Sequence, residues 1–139
     1  MNRAVDYGMR TVVALPYERA VERAREALAG EGFGVLSEID VRATLRKKLD
    51  VEFRPYVILG ACNPPLAHRA LMAEADIGLL LPCNVIVYAT DTAGESVVAA
   101  VDPETSLGRV GNDALVQVAA DVKRRLQRML ASLADSTAA

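Results

Sequence analysis

The chain has 139 residues, a hydrophobic share of 52%, a charged share of 24% and a formal net charge of -2. That length suits one domain and that balance lies far from disordered compositions, so a single domain over residues 1–139, with an ordered core from about 5 to 133, is expected. Aromatic residues make up only 4%, with no tryptophan, and the acidic balance offers no general attraction to phosphate backbones, so base-stacking platforms and nucleic-acid partners are set aside.

Tyr7 to Leu15 alternates at period two and predicts a strand, which Pro16 ends. From Tyr17 the period changes: Tyr17, Ala20, Val21, Ala24, Ala27 and Leu28 form one helical stripe, stopped by Gly30 and Gly32. Phe33, Val35, Ser37 and Ile39 give a second alternating strand. Val41, Leu45 and Leu49 recur every four residues and predict a short helix with basic outer faces. Tyr56 to Ala61 is a continuous apolar run, expected as a buried central strand in which Gly60 permits close approach of another backbone. Asn63 and Pro64 then read as a helix cap and first helical position, opening a helix to about Ala75. Strands at Val85–Thr90 and Ser96–Val101 flank the turn chemistry of Asp91–Gly94. A final helix from about Asn112 to Leu133 carries Leu115, Val118, Val122, Leu126, Met129 and Leu133 on one face, and Ala134 to Ala139 are expected to fray. The order gives an α+β fold class, with helices packed on one face of a mainly antiparallel sheet, because a hairpin turn between the last two strands replaces a crossover.

Met1 to Arg10 lacks the uninterrupted apolar run of a secretory signal, and no stretch reaches the roughly 20 apolar residues that span a bilayer. No membrane partner and a cytoplasmic location are the expectation. Two cysteines are too few for a disulfide framework, which agrees with a reducing compartment.

Both cysteines precede asparagine, in Gly60-Ala61-Cys62-Asn63-Pro64-Pro65 and in Leu81-Pro82-Cys83-Asn84-Val85. If the two strands pair antiparallel, both thiols come to one edge of the sheet. Cys62 also adjoins a helix start, where exposed N–H groups favour a thiolate. The candidate ligand or thiol site is therefore Cys62, Asn63, His68, Cys83 and Asn84, with His68, the only histidine, one turn into the following helix. The competing reading is plain packing: cysteine is among the most buried residue types, and apolar flanks surround both thiols. Without C-x-x-C spacing the zinc signal is weak. Arg42, Arg46, Lys47, Lys48 and Arg54 lie among acidic residues and read as a solvated face. No phosphate-binding glycine loop, nucleophile elbow or H-E-x-x-H is present.

Phe53 to Pro64, Leu66 to Leu71, Ile77 to Val85 and Val101-Asp102-Pro103 together resemble the bacterial and archaeal family catalogued as domain of unknown function number 302. The resemblance covers nearly the whole chain and implies a TATA-binding-protein-like domain, with a strand, a helix, four strands and a helix. It implies no activity, catalytic residue or cofactor, and a fold name does not carry DNA binding with it. Three functions compete on the residues: a binding or thiol-handling module for a small molecule or a soft metal at the Cys-Asn motifs, a structural homodimer with inert thiols, and an enzyme acting through Cys62. The homodimer follows from an apolar share larger than one small core readily hides.

Overall fold

A computed structural model describes residues 6–136. The start of the expected core at residue 5 and the end of the expected frayed tail, residues 137–139, lie outside the described residues. The elements follow in the order β1 (Gly8–Val13), α1 (Tyr17–Gly30), β2 (Gly34–Asp40), α2 (Val41–Leu49), β3 (Tyr56–Cys62), α3 (Pro64–Ala73), a 3-10 segment (Ala75–Leu80), β4 (Cys83–Ala89), β5 (Ser96–Val101) and α4 (Asp113–Ser136). Two short 3-10 turns, Pro103–Thr105 and Leu107–Arg109, lead into α4.

The five strands form one antiparallel sheet in the order β1-β5-β4-β3-β2. The chain is an α+β domain with helices packed on that sheet, as the order of periodicities predicts. Period-two alternation divides each central strand. Val57, Leu59 and Ala61 of β3, Cys83, Val85 and Val87 of β4, and Val98 and Ala100 of β5 are buried in one core. Ala24 and Leu28 of α1 and Leu115, Val122, Leu126, Met129 and Leu133 of α4 close over them. The alternate residues, among them Tyr56, Asn84, Ile86, Tyr88 and Ala99, border a broad concavity on the other face.

Several boundaries differ from expectation for identifiable reasons. The α3 helix stops at Ala73, and the apolar Ile77–Leu80 stretch winds as 3-10 backbone that buries Ile77 alone. The α4 helix continues through Ala134 to Ser136, so that part of the expected frayed end is helical. β2 is an edge strand, exposed along most of its length and with a register shift between Val35 and Ser37. The α2 helix buries none of its apolar stripe, and Leu49 is 65% exposed. Asp40 caps that helix by accepting from the Ala43 N–H at 2.8 Å, while Arg46 pairs with Asp50 and Glu52 and Arg54 with Asp91, as a solvated basic face requires.

Candidate functional site

The β3–β4 register sets Ala61 opposite Cys83 and Gly60 opposite Asn84, which brings the two cysteines to one end of the ladder. Both are free thiols, Cys62 half-buried and Cys83 buried. The two Cys-Asn pairs are nevertheless not equivalent. Asn63 lies just past the end of β3, where its side-chain oxygen accepts from the Leu66 N–H at 3.3 Å and caps α3. Its amide nitrogen donates to the Glu31 carbonyl at 3.5 Å. Asn84 lies inside β4, so the alternation that points Cys83 into the core turns Asn84 to the opposite, exposed face.

Cys62, Asn63 and Cys83 line a cavity of about 290 Å³ between the ends of β3 and β4, α3 and the segment before β4. Phe33, Leu66, Leu81 and Val122 complete walls that are almost wholly carbon and sulfur. His68 is exposed on α3 and, like Asn84, takes no part in this lining. Of the five residues singled out by sequence, three thus converge and two do not. Among the described residues, no group of three or more His, Cys, Asp and Glu side chains could hold a metal ion.

Burial pushes the Cys83 thiol up to about 11, and the neighbouring Cys62 adds to the shift. In that setting Cys83 is a neutral, weakly polar wall at neutral pH and not a nucleophile. The folded state therefore holds this proton where an unfolded cysteine, with a pKa of 9.0, has lost it. Its contribution to stability is complete below pH 9 and is lost as pH rises toward 11, a loss of about 2–3 kcal/mol. The difference in unfolding free energy between the wild type and Cys83→Ala should shrink over that window; a difference independent of pH from 8 to 11 would contradict the assignment.

The other face of the sheet holds a larger concavity, of about 610 Å³. Tyr56 and Tyr88 are cross-strand partners whose rings stack with centroids 5.3 Å apart and planes 6° from parallel. Arg54 lies over the Tyr88 ring at 5.9 Å. The Tyr88 hydroxyl accepts from Arg10 Nη2 at 3.1 Å across β5. Burial raises the Tyr56 pKa above its usual value. Of the residues singled out by sequence, Asn84 alone borders this surface, whose tyrosines and Arg10 the Cys-Asn motifs do not reveal. Its signal was the phase of the strands: Arg10, Tyr56 and Tyr88 all stand out of step with the residues that build the core.

The family model described as Domain of unknown function DUF302 matches residues 9–133. The chain is also similar to a solved structure, the crystal structure of an uncharacterized conserved protein DUF302 from Bacillus stearothermophilus. That match has a TM-score of 0.84 and 32% identity, covering 93% of this chain and 99% of the other. No curated protein matches.

Proposed function

The chain belongs to the family described as Domain of unknown function DUF302, and from that footing we propose that it is a binding module for a compact apolar molecule, held in the cavity that Cys62 and Cys83 both line. The observation that carries this reading is the chemistry of the wall. A 290 Å³ space lined by carbon and sulfur lies near the lower end of the volumes typical of small-molecule sites, roughly 300–1,000 Å³. Cys62 is the half-buried thiol there and supplies a soft, polarisable contact. Asn63 serves the site by fixing the start of α3, since both ends of its amide are already hydrogen-bonded. The free thiols accord with a reducing, cytoplasmic setting. We also read the architecture as TATA-binding-protein-like, a likeness of fold that brings no expectation of DNA binding to a chain of net charge -2.

Titration with indole, followed by amide NMR, tests the reading. Shifts are expected at Cys62, Leu66 and Cys83. They should vanish in Ala67→Trp, whose new ring fills the cavity that Ala67 lines. No shift at millimolar indole, or an unchanged response in a folded Ala67→Trp, would refute it. A second reading, a homodimer, is favoured by the exposure of large apolar side chains: Leu79 is 88% exposed, Met72 76% and Leu36 70%. Light scattering on the same samples separates the two, since a 14.9 kDa particle at micromolar concentration speaks against the dimer.

A further inference from the structure

We propose that the open face of the sheet carries a second ligand site, for a small monoanion with a flat apolar body such as an aromatic carboxylate, held between Arg10 and the Tyr56–Tyr88 pair. The concavity, about 610 Å³, lies within the size range of small-molecule sites. It meets the cysteine cavity only along the shared wall of Leu81 and Pro82.

Charge selects the ligand. Arg10 is half-buried and, among the described residues of this lining, is the one cation, with no aspartate or glutamate beside it. It makes no ion pair with any described residue, and its one hydrogen bond to another side chain goes to the neutral Tyr88 hydroxyl. Elsewhere on the molecule Arg46, Arg54, Arg69 and Arg128 each hold a carboxylate. A partly desolvated guanidinium is costly to leave without an anion, and most of its donor fork is still available for a bidentate carboxylate. The Tyr88 hydroxyl accepts from Arg10, so its own proton is free to donate to the same anion.

Shape selects the rest. The stacked tyrosines, Ile86 and the exposed Leu79 all belong to the lining. A planar apolar body can cover these groups while its charge reaches Arg10. Asn84, exposed and with no side-chain hydrogen bond to any other described residue, offers a further polar contact at the border.

Calorimetric titration with 2-naphthoate and with neutral 2-naphthamide tests the proposal, with amide NMR to locate each probe. Naphthoate is expected to bind about tenfold tighter than naphthamide, as a charge-assisted hydrogen bond implies. Its shifts should centre on Arg10, Asn84 and Tyr88. Arg10→Met should bring the two probes to similar affinity, and Arg10→Lys should restore part of the difference. Equal binding of both probes to the wild type, no naphthoate binding at millimolar concentration, or shifts confined to Cys62 and Cys83 would overturn the assignment. The wild-type comparison of charged and neutral probes decides the matter even if Arg10→Met fails to fold.

Discussion

Alanine at Gly60 is expected to lower the stability of the fold by about 1–3 kcal/mol, although it adds a single methyl group. Gly60 sits in β3 with Ser37 of β2 on one side and Asn84 of β4 on the other. A Cβ at this position would collide with Ser37 Oγ and come to 2.8 Å from Cγ of Pro82. The serine hydroxyl can rotate away, but the proline ring is fixed in the chain and has no comparable escape. Gly60→Ala combined with Ser37→Ala should therefore recover only part of the loss. Urea denaturation checks both variants, and an unchanged midpoint in Gly60→Ala would show that the Pro82 segment yields freely. Because Pro82 also borders both cavities, its displacement should weaken indole and naphthoate binding together.

Leu126→Ala should have a still larger effect, a loss of about 2–5 kcal/mol in unfolding free energy. Leu126 is 0% exposed on the helix that packs against α1, α3 and β1. Removing its side chain costs the transfer of apolar atoms out of water and leaves a void that the surrounding elements cannot all close. Val116→Ala on the same helix provides the contrast: Val116 is 44% exposed, and its truncation should stay within about 0.5 kcal/mol. Equal losses for the two variants would mean that α4 is not the keystone of this core.

Local chemistry made much of this fold readable. The Asn63-Pro64 cap, the change of period at Tyr17, the Asp91–Gly94 turn and the apolar face of α4 each follow from interactions within a few residues, and each appears where it was expected. What escaped depends on neighbours distant in the chain. Phe33, Val35, Ser37 and Ile39 alternate as expected of a strand, and Phe33 and Val35 pack on the core, yet Ile39 farther along is 48% exposed. Periodicity states which residues share a face, not whether anything covers it. The short 3-10 segment before β4 is also invisible to period counting, because six residues hold too few turns to distinguish a repeat of three from one of two or four. The candidate site shows the same division. Cys62 and Cys83 were correctly brought to one end of the sheet by strand order. Asn84 and His68 do not line the cavity there, because neighbours in sequence separate to opposite faces of a strand and a helix presents each residue at its own angle.

The strand order also governs when the domain can come into being. β1 and β2, successive strands joined through α1, lie at opposite edges of the sheet and never pair. From β2 to β5 each strand pairs with its successor in the chain, but β1 must wait for β5. During synthesis the first strand leaves the ribosome with no partner and stays unpaired until most of the polypeptide has followed. Closure of the sheet has to bring Val13 to Ser96 across the loop between them, and the entropy of that loop makes it a late event. Until that moment β1 and the facing edge of β5 both lack their partner, and both need shielding from other chains.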